Sequence, residues 1–122
     1  MTPKSDLLKT ASRLRIASTL WERLRGIRKG PRLCDGELLM LIPCQSIHSF
    51  GLKEPIDVAF IDNCGQVLKS VSALPPNRVV NCRKAKATLE RFTNGGSTWL
   101  SVGSQLSIDL RHGGDISRLD NI

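Results

Sequence analysis

Cys44 and His48 stand four residues apart in Cys44-Gln45-Ser46-Ile47-His48, and Asp57 and Cys82 are the further side chains that could join them. Thiolate, imidazole and carboxylate together can satisfy a tetrahedral zinc ion. Closed zinc sites ordinarily carry paired Cys-x-x-Cys spacings, which this sequence lacks, so no metal is assigned. Two other chemistries are open to the same residues. Asp57 could orient His48 as a general base, and His48 could activate Cys44 as a nucleophile. Plainer roles stand beside each. A cysteine at a strand edge behaves as a small hydrophobe, and a carboxylate in an apolar strand can be satisfied by backbone amides or hydroxyls. No phosphate loop, second carboxylate or further nucleophile converges to complete a catalytic set. Cys44, His48, Phe50, Asp57 and Cys82 are therefore ligand-binding candidates, with no catalytic residue and no cofactor assigned.

The elements that must position these residues are short and mostly strands. Leu14 and Ile16 alternate with Arg13 and Arg15, which predicts a half-exposed strand over 12–17. Thr19-Leu20-Trp21-Glu22 matches a capping box, in which hydroxyl and carboxylate satisfy each other's backbone amides. A helix from Leu20 to about Arg25 is expected, stopped by Gly26, with Leu20, Leu24 and Ile27 as its apolar stripe. Glu37 to Ile42 reads as a buried strand ended by Pro43, and Ile47 to Phe50 as a second. Over 56–61, Ile56, Val58 and Phe60 point one way and Asp57, Ala59 and Ile61 the other. Asp62-Asn63-Cys64-Gly65 then closes a hairpin onto Gln66 to Val71.

Leu74-Pro75-Pro76-Asn77 is a rigid break, and Arg78 to Val80 a short edge piece. Ala85, Ala87 and Leu89 alternate with Lys86, Thr88 and Glu90, which predicts a strand with one buried face. One helical turn is expected over 97–100 and a last strand over 105–110. Strands this short and this frequent, with one early helix, predict a mainly β (α+β) domain. The expected form is a small antiparallel β-barrel or sandwich with the helix packed on it. It should occupy residues 12–110, between a flexible lead-in over 1–11 and a flexible tail over 111–122.

Charge is uneven along the 122 residues. Nine of the 18 Lys and Arg residues fall within 1–33 against Asp6 and Glu22 alone, so this third carries the whole net charge of +7. Arg23, Arg25, Arg28 and Lys29 are anion-binding candidates there, able to attract phosphate, nucleic acid or anionic lipid weakly and in a salt-dependent way. Interleaved aromatics that would stack bases are missing apart from Trp21. No leader-like apolar run opens the chain and no stretch is long enough to span a bilayer. A cytoplasmic address is the expectation, with Cys34, Cys44, Cys64 and Cys82 mostly reduced.

In order and in motif, the chain resembles the uncharacterised prokaryotic family called domain of unknown function 192. Ile16-Ala17-Ser18-Thr19 leading to Glu22-Arg23-Leu24-Arg25-Gly26 looks like the family's first strand and Arg-Gly helix end. His48-Ser49-Phe50-Gly51-Leu52 follows, then Pro55-Ile56-Asp57-Val58-Ala59-Phe60-Ile61-Asp62 with Gly65, then Ala87-Thr88-Leu89-Glu90 with Val102-Gly103. The Pro-Ile-Asp segment is the specific part. Two positions depart from the pattern: Leu52 where the family has Met, and Ser104 where it has an acidic residue. The resemblance implies a compact β-barrel-like domain with a packed helix, and it implies no reaction. The leading expectation is a non-enzymatic binding or assembly module that contacts a protein or small ligand through loops around Cys44 to Lys53 and Pro75 to Arg83. Its rivals are a small enzyme or metal/thiol site at Cys44, His48 and Asp57, and docking on nucleic acid or anionic membrane through the basic third.

Overall fold

A computed structural model describes residues 13–17, 33, 37–93 and 98–107. Seven strands run in the order β1 (Arg13–Ala17), β2 (Glu37–Leu41), β3 (Ser46–His48), β4 (Ile56–Ile61), β5 (Val67–Leu74), β6 (Val79–Asn81) and β7 (Ala87–Phe92). Five of them form one sheet in the spatial order β1-β2-β7-β4-β5, while β3 and β6 form a separate pair. The expected helix over 20–25, the lead-in, the tail and the basic cluster Arg23, Arg25, Arg28 and Lys29 lie outside the described residues.

The mainly β expectation holds, but the sheet is not closed into a barrel. β1 and β5 are its two edges and do not meet. Nor is it wholly antiparallel: β1 runs parallel to β2, Arg13 opposite Glu37 and Ala17 opposite Leu41. Such pairing requires a crossover connection rather than a hairpin. Spacing alone could not show the lack of closure, because a barrel and an open sheet use strands of the same length.

The open sheet is covered on both faces. Ile56, Val58 and Phe60 fall in one apolar cluster with Leu39, Leu41, Ile47 and Leu74. Ala59 and Ile61 fall in the other with Leu38, Met40, Leu89, Trp99 and Leu106. The alternation read along β4 is thus the real division between the two faces. β3 and β6 cap the first cluster through Ile47 and Val80, and the stretch 98–107 caps the second through Trp99, Leu100 and Leu106. Each such side chain removed from water contributes roughly 1.5–3 kcal/mol. Neither a helical turn over 98–100 nor a strand over 105–107 is present; Gln105 makes a single bridge to Gln66. Among the described residues, no helix is long and apolar enough to cross a membrane.

The β4–β5 hairpin turns as its residues dictate. The Asp62 carboxylate accepts from the amides of Cys64 at 2.8 Å and Gln66 at 2.9 Å, and Gly65 takes φ 88°, a conformation open to glycine at no steric cost. Farther along, Ile56 pairs with Leu74 but Val58 with Val71. β5 therefore holds one extra residue there, a bulge, with Ala73 in the left-handed region at φ 55°.

Candidate functional site

The bulge brings a backbone amide to Asp57. This side chain is 1% exposed, and its Oδ1 accepts from the Ala73 amide at 2.8 Å and the Thr93 hydroxyl at 2.9 Å. A longer contact from the Ser72 hydroxyl measures 3.4 Å. Oδ2 takes the Nε–H of buried Arg91 at 2.8 Å. The Arg91 guanidinium lies 4.7 Å from the Trp99 ring, a cation–π distance, and the Trp99 indole N–H donates to the Val58 carbonyl at 3.0 Å. One carboxylate thereby ties together β4, β5, β7 and the 98–107 stretch. Both oxygens are engaged, and no imidazole is among these partners.

His48 is elsewhere. It ends β3 and is exposed, its Nδ1 accepting from the Phe50 amide at 3.3 Å and its ring stacked on Phe50 with centroids 5.2 Å apart. β3 packs on the face that carries Ile56, Val58 and Phe60, whereas Asp57 alternates to the other face. The pairing of His48 with Asp57, one of the chemistries open to these residues, is therefore not formed, and Asp57 has the structural role that stood beside it. Cys44 and Cys82 are half-buried against the first cluster. The Cys44 thiol donates to the Ser46 carbonyl at 3.3 Å, and the Cys82 amide to the Gln45 carbonyl at 2.8 Å. Cys44, Cys64 and Cys82 are free thiols. Among the described residues, no three His, Cys, Asp or Glu side chains gather as a metal would need.

Two features escaped the sequence pattern. The first is Glu90, read as solvent-facing because it alternates with Leu89. β7 belongs to a sheet whose two faces are both covered by apolar clusters, and Glu90 stands in register with Leu39 on one side and Val58 on the other. It is 3% exposed and, among the described residues, its Oε1 has no hydrogen-bond partner. Burial pushes its carboxyl up to about 7 from an ordinary value of 4.5. On the same face, two residues along β2 from Leu39, buried Glu37 meets the Arg15 guanidinium at 3.5 Å. The signal for Glu90 was a conflict: the alternation sent it to solvent, while the resemblance placed it inside a family segment.

The second is a ledge made by the small sheet. Ser49 joins the two stretches 44–53 and 75–83. Its amide donates to the Arg78 carbonyl at 2.9 Å and its carbonyl accepts from Asn77 at 3.2 Å. Its buried hydroxyl donates to the Pro75 carbonyl at 2.7 Å and accepts from the Arg78 amide at 2.9 Å. With Ile47 and Val80 turned inward, His48 and its register partner Val79 turn outward. Phe50 is 46% exposed and Val79 56%. A phenyl ring and an isopropyl group thus stand in water beside each other's strands, on a support fixed by four hydrogen bonds to one serine.

The family model of domain of unknown function 192, described as "Uncharacterized ACR", matches residues 2–108. The chain belongs to this family. No curated protein matches at a significant level. Two solved structures resemble this domain of unknown function 192. A protein of unknown function from Novosphingobium aromaticivorans superposes with a TM-score of 0.58 at 18% identity, covering 66% of this chain and 63% of that one. A candidate transcription regulator of Sinorhizobium meliloti superposes with a TM-score of 0.57 at 14% identity, covering 66% and 67%. The chain thus spans just under two thirds of the first neighbour, and at these identities the likeness is one of fold. The two departures from the family pattern sit in sound places. Leu52 packs on the first cluster, and the Ser104 carbonyl accepts from the Val67 amide at 2.9 Å.

Proposed function

We propose that this member of the family is a non-enzymatic binding module and that the ledge of β3 and β6 is its docking surface. One observation carries the reading: Phe50 and Val79 are exposed apolar groups on a rigid, hydrogen-bonded support. Each is about half exposed, so covering it would gain roughly half of the 1.5–3 kcal/mol of a fully exposed side chain, and a support already ordered loses little entropy on binding. The chemistry-bearing residues support the same reading from the other side. Asp57 is occupied in the fold, His48 in its turn, and Cys44 in a contact to its own strand.

The test uses a photo-crosslinking residue placed at position 50 or at position 102 of the full chain, in the native cells. Val102 is 63% exposed but lies on the far stretch, so it controls for exposure alone. A discrete adduct from position 50, lost with Val79→Asp and absent from position 102, is the expected outcome. Equal labelling from both positions, or substrate turnover in a broad hydrolase and transferase screen that His48→Ala abolishes, would overturn it.

A further inference from the structure

We propose that the outer edge of β3 receives an extended acidic peptide segment of a partner protein as an added strand, with Phe50 and Val79 seating its apolar side chains. The inference rests on the ledge being the docking surface and names what docks there.

The ladder decides which backbone groups are open. The Cys82 amide bonds the Gln45 carbonyl, and the Ser49 amide bonds the Arg78 carbonyl. In an antiparallel pair, bonded residues alternate with unbonded ones. Ile47 and Val80, midway between those two pairs, therefore also bond each other, and Ser46 and His48 direct their amides and carbonyls away from β6. At β3, among the described residues, the Ser46 carbonyl meets only the Cys44 thiol, a weak donor. The matching edge of β6 is partly closed, because Lys69 Nζ takes the Asn81 carbonyl at 2.9 Å. Among the described residues β3 is the freer edge, and the exposed ring of Phe50 continues it.

Charge selects the occupant. Residues 43–54 and 75–86 hold Lys53, Arg78, Arg83, Lys84 and Lys86 against Glu54 alone. Lys53, Arg78, Arg83 and Lys84 are exposed. Arg78 lies beside Val79 at one end of the ledge, and Arg83 and Lys84 follow β6 at the other. An open edge ordinarily invites pairing between copies of the same chain, and cations near it, here in the turns that flank β3 and β6, oppose that. The charges that repel a second basic edge attract an acidic strand, so one feature excludes the wrong partner and recruits the right one. Main-chain bonds then give affinity and alternate side chains give specificity, as in other strand-addition complexes.

The experiment measures fluorescence anisotropy of labelled peptides with the full chain. The probe is an alternating Asp-Val peptide of about ten residues, long enough to form a strand. Its controls are the Lys-Val counterpart, an Asp-Val peptide N-methylated at every second amide, and single-stranded oligothymidylate. The Asp-Val peptide should bind and the Lys-Val peptide should not. N-methylation should remove binding, because it deletes the ladder donors and leaves the side chains in place. Phe50→Ser, and Lys53→Glu combined with Arg78→Glu, should each weaken it by about tenfold or more. All three positions are exposed, and unchanged melting confirms the fold. Failure of the Asp-Val peptide to bind, equal binding after N-methylation, or binding of oligothymidylate alone would overturn strand addition. Position-50 crosslinks surviving such a failure would leave the ledge a docking surface for another partner. Their loss as well would remove the ledge altogether.

Discussion

Asp57 sits opposite Arg91 and Glu90 sits opposite Val58, on consecutive rungs of the ladder between β4 and β7. Because strand side chains alternate, the two carboxyls project to opposite faces of the same sheet. Both are buried, and there the likeness ends. Asp57 receives a guanidinium, a hydroxyl and a bulged backbone amide; Glu90 has an oxygen that receives nothing. Burial of a carboxylate is costly unless donors replace the lost water. A sheet can supply them when the cross-strand neighbour is Arg and a bulge turns an amide inward, and it cannot when both neighbours are Leu and Val. The difference lies in the neighbours, not in the depth of burial.

The largest effect should come from breaking the satisfied side. Asp57→Ala leaves the Arg91 charge buried without its carboxylate and the Ala73 amide without its acceptor. Breaking one partner of a buried ion pair costs about 3–5 kcal/mol, a large part of the roughly 5–15 kcal/mol that holds a domain together. Urea unfolding should show that loss. A loss below about 1 kcal/mol would mean that solvent reaches the pair and that the two carboxyls differ less than their geometry indicates.

Glu90 should give the next largest effect, and one that depends on pH. Its folded carboxyl titrates at about 7, above its ordinary 4.5. The folded state therefore keeps a proton that the unfolded chain releases between those values. Unfolding then releases a proton, so stability falls as pH rises through this window and levels off above it. A shift of that size corresponds to about 3 kcal/mol. Among the described residues, the charged groups on its face include Glu37 and Arg15, which meet each other, and Lys69, in register with Phe60 and bonded through Nζ to the Asn81 carbonyl; β4 presents only Ile56, Val58 and Phe60 there. Glu90→Gln removes the titration, so the gap between variant and wild-type urea midpoints should widen in the variant's favour from pH 5 to pH 8. Parallel profiles would show that Glu90 is hydrated and ionised in the fold.

How far the sequence discloses this arrangement depends on which force sets each feature. Alternation in β4 reveals its two faces because both are apolar apart from Asp57, and the Asp62–Gly65 turn is encoded by residues that need no distant partner. The resemblance places Asp57 in the specific motif, and Phe50 stands among the binding candidates. Period-two patterning, however, shows which residues share a face and not whether that face is covered. Glu90 and Thr88 thus read as solvent-facing although apolar clusters cover both faces of the sheet. Arg91 is 34 positions from Asp57, and nothing local announces the pair. Val79 reads only as part of an edge piece until Ser49 brings it beside His48. Sheet closure is equally hidden, since it depends on where the edges end up rather than on any strand's composition.

The smallest effect isolates the bulge from the charge. Ala73 holds φ 55°, a region in which a Cβ costs about 1–2 kcal/mol. Ala73→Gly relieves that strain and keeps the amide that Asp57 accepts, while the freer unfolded glycine takes back about 0.5–1 kcal/mol. A net gain of about 0.5 kcal/mol should appear as a small rise in urea midpoint. In the Asp57→Ala background the bulge loses its acceptor and has no reason to remain left-handed, so the same glycine should gain less. That coupling, read as a double-mutant cycle, distinguishes a bulge held in place by the carboxylate from one fixed by β5 itself. If the gain is equal in both backgrounds, Asp57 merely uses a kink that the strand forms anyway, and the bulge drops out of the contrast with Glu90.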